Sequence, residues 1–199
     1  MTPPEIAAAL RPVVAWLDGH GVRYRIGGSL ASSVHGVARS TLDVDLVADV
    51  PGELAGELAA DLGGRYYVDE ELVREAVRRR SSFNLVHLAT MVKVDVFLPG
   101  DADYDRTAFE RARLEPLLEA APDERLPFST PEDIVLRKLL WYRDGGEVSE
   151  RQWADVRGVL QVQRGALDEA YLELWSSRLA IADLLARARS EAGGGEPSA

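Results

Sequence analysis

Two segments of this chain carry an aliphatic side chain at every second position with charged side chains at most positions between, and this alternation constrains the fold more than any other feature. The segments run over residues 42–48 and 92–98. Neighbouring residues of a strand point to opposite faces of a sheet, so each segment predicts a strand with one apolar face and one charged face. The charged faces would carry Asp43 and Asp45 on one strand and Asp95 on the other.

The remaining pattern predicts an α/β half followed by a helical half. In the first half we expect helices over 3–17, 29–35, 51–62, 70–80 and 107–114, and further strands over 22–26, 65–68 and 82–88. From Pro127 onward only helices are predicted, with starting signals at Thr130 and Ser149. The predicted fold is an α/β (α+β) core with a mixed sheet over 1–122, a C-terminal helical bundle over 127–192, and a disordered tail over 193–199.

Composition narrows the classes of protein that fit. The 199 residues contain 23 Lys and Arg against 33 Asp and Glu, a formal charge of −10. Such a charge disfavours a broad nucleic-acid surface, because phosphates are bound by an excess of basic side chains. The chain has no cysteine, which excludes disulfides and thiolate zinc sites. The absence of a long apolar stretch or a signal-peptide pattern predicts a cytoplasmic protein without membrane contact.

The aspartates on the charged strand faces suggest a metal site. Two like charges on one strand face repel unless a cation lies between them, and Mg²⁺ prefers carboxylate oxygens. For Asp43 and Asp45 alone, a solvated polar face explains the pattern equally well. Asp95 on a further strand makes the set more specific, because several carboxylates are what two-metal phosphoryl or nucleotidyl transfer requires. Lys93 shares the face of Asp95 and is expected to neutralise it.

A glycine turn upstream of the first aspartate strand could approach a phosphate. Gly27, Gly28 and Ser29 follow a predicted strand and open a predicted helix. Glycine lets the backbone turn sharply, and the N–H groups at a helix start attract phosphate. An ordinary strand–helix turn is the alternative for this segment.

Together these segments resemble the nucleotidyltransferase superfamily with the polymerase-beta-like fold. The residues that carry the resemblance are Gly27, Gly28, Ser29, Arg39, Asp43, Asp45 and Asp95. The resemblance implies that Asp43 and Asp45 bind two Mg²⁺ ions and that Asp95 completes the metal site and helps to activate an acceptor hydroxyl. It also implies that the turn over 27–29 holds the phosphates of an NTP.

The run over residues 39–46 looks more specifically like the nucleotidyltransferase-like toxins of type IV toxin–antitoxin systems and their uncharacterised relatives. Those proteins also carry a Lys on one later helix and an Asp on the next, here Lys138 and Asp155. This resemblance implies that Arg39, Lys138 and Asp155 bind the nucleotide. It also implies a cognate antitoxin as partner and the 3′ end of a tRNA as acceptor.

Lys138 can also be argued from its surroundings. It emerges from an otherwise apolar helix face, and a buried lysine is costly unless it is paired. A triphosphate or a carboxylate would be a suitable partner, and a lysine whose charged end reaches water at the edge of the core is the alternative.

We therefore expect a Mg²⁺-dependent enzyme that moves an NMP from an NTP to an acceptor hydroxyl on RNA, on a protein or on a small molecule. Two other classes of protein fit the same residues. One is a regulatory module that binds nucleotide without turnover, and the other is a metal-dependent phosphohydrolase.

Overall fold

The structure is a computed structural model that describes residues 2–39, 41, 43–118 and 120–193. Its contacts divide the chain into two compact units. Unit 1 comprises Met1–Leu30 and Ser40–Phe128, and unit 2 comprises Ala31–Arg39 and Ser129–Ala199. Leu42, which was predicted to begin a strand, and the tail over 194–199, which was predicted to be disordered, lie outside the described residues.

Over its described residues, unit 1 is built around a mixed sheet with helices before, between and after the strands. The helices are α1 (Pro3–Gly19), the start of α2 (Gly28–His35), α3 (Ala55–Leu62), α4 (Glu70–Arg79) and α5 (Asp103–Glu110), with a 3-10 turn over Gly52–Leu54. The strands are β1 (Tyr24–Ile26), β2 (Asp43–Ala48), β3 (Tyr66–Tyr67), β4 (Ser82–His87), β5 (Lys93–Phe97), β6 (Arg113–Leu118) and β7 (Ala121–Phe128). Most predicted elements of this half are present, with ends shifted by a few residues.

The strands described in unit 1 form one sheet in the order β3-β4-β5-β2-β1-β7-β6. Strand β2 is parallel to β5 and antiparallel to β1, while β4 and β5 form an antiparallel hairpin. The prediction of a mixed sheet is therefore confirmed. The two alternating segments are direct neighbours in the centre of this sheet.

The aliphatic face of these central strands is buried. Val44 and Leu46 of β2 and Val94 of β5 have no exposed surface. Helix α1 lies over this face: the hydroxyl of Tyr66 in β3 donates a hydrogen bond of 2.6 Å to the carbonyl of Ala9 in α1. Burial of the aliphatic stripe fixes which face of the sheet the alternate, charged residues occupy.

The segment over residues 111–128 differs from the prediction. A helix over 107–114 and a simple connection over 121–127 were expected, but α5 ends at Glu110 and an antiparallel hairpin of β6 and β7 follows. Prolines 116, 122 and 127 argue against strands, because proline cannot donate a ladder hydrogen bond. Strand β6 forms one edge of the sheet, and β7 pairs with β1 at the single position Ile26–Phe128, so this location tolerates them.

The long C-terminal part of unit 2 is helical, as predicted. The helices are α6 (Pro131–Asp144), α7 (Glu150–Val162), α8 (Glu169–Arg178) and α9 (Ala182–Gly193). The predicted caps are present: Thr130 accepts a hydrogen bond from the amide of Asp133, and Ser149 accepts one from the amide of Gln152. Among the described residues, no helix is both long enough and apolar enough to cross a membrane.

We expect the hydroxyl of Tyr66 to stabilise unit 1 because its bond to the carbonyl of Ala9 is buried. Tyr66→Phe should lower the free energy of unfolding by about 1–2 kcal/mol, measured by urea titration with circular dichroism. The adjacent Tyr67 is 66% exposed, so Tyr67→Phe is the matched control and should change the value by less than about 0.5 kcal/mol. Equal effects of the two substitutions would contradict this account.

Candidate active site

The register of β2 against β5 places the three predicted aspartates on one face of the sheet. Asp45 pairs with Asp95, and Asp43 pairs with Lys93. Paired strands lie about 4.8 Å apart, so the side chains of each pair are immediate neighbours. Asp43, Asp45 and Asp95 are all partly exposed, in contrast to the buried residues that alternate with them.

The glycine turn packs directly against Asp45. The amide of Gly27 donates a hydrogen bond of 2.8 Å to the carbonyl of Asp45. Gly28 has a φ of 56°, and a Cβ atom at this position would lie 1.6 Å from Oδ2 of Asp45. Only glycine leaves room for that carboxylate. Ser29 follows in the first turn of α2 and is partly exposed.

A threonine that the sequence reasoning missed orients Asp43. The hydroxyl of Thr41 donates at 2.8 Å to Oδ1 of Asp43 and lies 3.1 Å from the carbonyl oxygen of the same residue. Thr41 is 2% exposed, so this contact is held by the protein interior. A hydroxyl two residues before the first aspartate, within the run over 39–46, is the signal that could have identified it.

Lys93 forms an ion pair with Asp95, as expected. Its Nζ lies 2.7 Å from Oδ2 of Asp95. The pKa of Lys93 is raised, first by this hydrogen bond and further by the charges of Asp95, Asp43 and Asp45, although partial burial opposes the shift. The ammonium group is therefore within electrostatic reach of all three carboxylates.

By residue type, the donor set on this face suits a hard divalent cation. It consists of three carboxylates beside a backbone turn. The ammonium of Lys93 is bound to one of them, Asp95, which indicates that this face favours positive charge. The carboxylate oxygens do not all lie within 4.8 Å of one another in this arrangement.

Among the described residues, such a close group of ligand atoms is formed instead by His20, Glu57 and Asp61. Nε2 of His20 lies 3.3 Å from Glu57, and Asp61 accepts a hydrogen bond from the indole of Trp16. The pKa of His20 is raised, first by its bond to the carbonyl of Trp16 and then by the two carboxylates. We assign this exposed group as an ion pair, separate from the strand aspartates.

In unit 2, the other three predicted site residues form one buried network. Asp155 in α7 accepts two hydrogen bonds of 2.7 Å from the guanidinium of Arg39. It also accepts one of 2.8 Å from Nζ of Lys138 in α6. The side chains of Asp155 and Lys138 are each 5% exposed. The partner of Lys138 is thus a carboxylate, and the two side chains are buried together.

The pKa of Asp155 is set by opposing effects. Burial raises it, but the hydrogen bonds and charges of Arg39 and Lys138 outweigh burial and lower the pKa below its usual value. Asp155 therefore stays ionised at neutral pH and holds both cations. Two positive groups share one negative group, so the network carries a formal charge of +1.

Comparisons with known proteins identify the fold. No protein-family description matches the chain, and no curated protein matches its sequence. The solution structure of the antibiotic-resistance factor ANT(2'')-Ia is similar, with a TM-score of 0.55 and 17% identity over 94% of this chain and 99% of that one. Its crystal structure with adenylyl-2''-tobramycin gives a TM-score of 0.53, again at 17% identity, over 87% of this chain and 96% of that one.

An antigenic nucleotidyltransferase-like protein from Paracoccidioides brasiliensis is also similar. The TM-score is 0.51 at 17% identity, over 90% of this chain and 91% of that one. These likenesses confirm the predicted nucleotidyltransferase fold.

The close approach of Gly28 to Asp45 should make this glycine irreplaceable. Gly21 has a similar φ of 64° but no atom within 4 Å of a Cβ, so it reports the backbone cost alone. We expect Gly21→Ala to lower the free energy of unfolding by about 1–2 kcal/mol. Gly28→Ala should cost about 1–3 kcal/mol more, because the Asp45 carboxylate must move. Urea titration of both variants measures the difference, and equal costs would contradict the contact.

Asp155 should be essential to the stability of unit 2, because removing its charge leaves two cations without their carboxylate. We expect Asp155→Asn to cost about 3–5 kcal/mol in urea titration. Asp183, which pairs with Arg143 at 2.7 Å but is 69% exposed, is the matched control, and Asp183→Asn should leave the unfolding midpoint nearly unchanged.

The pH dependence gives a second readout of the same network. A carboxyl whose folded pKa is lowered stabilises fully above its unfolded pKa of about 3.9 and loses this contribution as pH falls through the folded value. The stability difference between wild type and Asp155→Asn should therefore shrink in strongly acidic solution. A constant difference down to that range would contradict the assignment.

Proposed function

We propose that this protein is a nucleotidyltransferase that transfers an NMP group from an NTP to the hydroxyl of an acceptor. The observation that carries the proposal is the cluster of Asp43, Asp45 and Asp95 on one sheet face, with the turn at Gly28 packed against Asp45. The alternative is that these aspartates only form a solvated polar face. Such a face does not require Asp45 to pair with Asp95, and it does not require a glycine packed against the Asp45 carboxylate. The shared fold of the nucleotidyltransferase-like structures supports the same class of reaction.

In the proposed reaction the acceptor oxygen bonds to the α-phosphorus, the bond to the β-phosphate oxygen breaks, and pyrophosphate leaves. Asp43 and Asp45 would hold Mg²⁺ with Asp95, and bound Mg²⁺ would neutralise the charge that develops on the phosphoryl oxygens. Asp95 would accept a hydrogen bond from the attacking hydroxyl and then accept its proton as a general base. Thr41 keeps the carboxylate of Asp43 in one orientation.

The proposed nucleotide-binding groups include the turn over 27–29 and Arg39. The turn lies at the start of α2, where the positive end of the helix dipole favours phosphate oxygens. Arg39 carries the exposed part of the positive network in unit 2, with a side chain that is 24% exposed. Lys138 and Asp155 are buried, and we propose that they act by positioning Arg39.

We propose a small molecule as acceptor. The charge of −10 disfavours a long nucleic acid, whose binding depends on neutralising many phosphates. One similar structure contains an adenylylated antibiotic, adenylyl-2''-tobramycin. The alternative acceptors are a tRNA 3′ end and a protein hydroxyl, and label transfer to separated cell fractions distinguishes them. If the acceptor is a tRNA, we also expect an antitoxin partner.

We expect wild-type protein with Mg²⁺ to transfer label from an α-³²P-labelled NTP to one fraction of a cell extract separated into small molecules, RNA and protein. Asp43→Asn and Asp45→Asn should reduce this transfer by at least about a thousandfold. Each substitution removes a carboxylate that would hold Mg²⁺, and bound Mg²⁺ would stabilise the negative charge of the transition state. Asp69→Asn, at the start of α4, is the control and should retain the activity.

The products separate the proposal from its rivals. Labelled NMP released without an acceptor would indicate a phosphohydrolase. Nucleotide binding by calorimetry, with neither transfer nor pyrophosphate release, would indicate a regulatory module. Full transfer activity in either aspartate variant would refute the mechanism.

A further inference from the structure

Lys93 places a positive charge among the three carboxylates, although a metal-binding site requires no cationic side chain there. On β5 it lies two residues before Asp95 and so shares its face, and on the neighbouring strand it pairs with Asp43. It is therefore adjacent to one predicted metal ligand along its own strand and to another across the sheet. It is also one of only two lysines in the chain.

The ammonium of Lys93 takes up an oxygen that a cation would use. Its Nζ lies 2.7 Å from Oδ2 of Asp95. The side chain of Asp95 is 17% exposed, whereas that of Lys93 is 44% exposed. Lys93 can therefore leave this contact by rotating into water, without opening the apolar core on the other face of the sheet.

The charge balance of the cluster depends on this residue. Asp43, Asp45 and Asp95 carry a formal charge of −3, and the ion pair of Lys93 with Asp95 brings the sum over these four residues to −2. A divalent ion that binds these carboxylates must displace the ammonium from Asp95 and is repelled by it at short range. The polar side chain that the register places across from Asp95 on β4 is Asn84, which is uncharged and cannot replace the lysine.

The phosphates of an NTP change this balance. They add negative charge and metal ligands, and they offer the displaced ammonium a new anionic partner. Nucleotide binding should therefore strengthen metal binding, and by thermodynamic reciprocity metal should strengthen nucleotide binding by the same factor.

We propose that Lys93 is a built-in counter-cation that keeps divalent ions weakly bound in the nucleotide-free protein and makes tight metal binding depend on the NTP. This inference rests on the proposed function, because it takes the three aspartates as metal ligands. Lys93 is in this sense a positioning residue for metal loading, and its effect is measured on binding rather than on turnover.

The test is calorimetric titration of Mn²⁺, as a substitute for Mg²⁺, into the nucleotide-free protein. Lys93→Met should bind Mn²⁺ about tenfold more tightly than wild type, because a nearby positive charge has been removed. Lys93→Arg keeps the charge and should bind as weakly as wild type. With a saturating non-hydrolysable NTP analogue, the difference between Lys93→Met and wild type should shrink.

Arg74→Met is the matched control. Arg74 forms an ion pair of the same length, 2.7 Å, with Glu70 on the surface of α4, and its loss should leave Mn²⁺ affinity unchanged. Circular dichroism of each variant verifies that it is folded before titration.

Asp45→Asn separates failure of this inference from failure of the proposed function. If Asp45→Asn abolishes Mn²⁺ binding while Lys93→Met binds no more tightly than wild type, the counter-cation role is refuted and the metal site stands. If Asp45→Asn leaves Mn²⁺ binding unchanged, the aspartates are not the metal site, and both proposals fail.

Discussion

The parallel pairing of β2 with β5 is the constraint on which the candidate site depends. Parallel strands need a crossover connection, and here the connection contains α3, β3, α4 and β4. The aspartates of the two strands are therefore brought together by distant segments of chain. A register slip of one residue on either strand would turn its aspartate into the apolar face. Burial of Val44 and Val94 thus protects the position of Asp45 and Asp95.

The two units handle charge in opposite ways. In unit 1 the aspartates remain partly open to solvent, where an ion or a substrate can reach them. In unit 2 the carboxylate of Asp155 is buried and saturated by two cations. Such a buried network is weak evidence for stability, because desolvation offsets much of the attraction. Its clearer effect is geometric, since the two parallel bonds from Arg39 hold the guanidinium plane in one orientation.

The features that could be predicted from sequence are those with local causes. Alternation along the chain identified β2 and β5 and the face that carries their aspartates, and the caps at Thr130 and Ser149 identified two helix starts. The β6–β7 hairpin was missed because its prolines act against strands locally, while its position at the sheet edge depends on tertiary structure.

Pairings between distant residues could not be read from the same patterns. Arg39 and Asp155 are separated by 116 positions, and the bond between them needs a fold to bring them together. The resemblance singled out both residues and Lys138, but it did not show that they contact one another. The same holds for the pairing of Asp45 with Asp95, since either strand alone indicates a face and not a neighbour.

The division of the chain into units has a consequence for dissecting the molecule. Unit 2 takes up Ala31–Arg39 from the N-terminal half as well as everything after Phe128. A fragment that begins near Pro127 would contain Lys138 and Asp155 but lack Arg39, and a fragment that ends there would carry Arg39 without its carboxylate. A cut at this point therefore leaves each piece without a member of the network. A genetic fusion or deletion near Pro127 would thus divide the ion network of Arg39, Lys138 and Asp155, even though the linear sequence changes there from strands to helices.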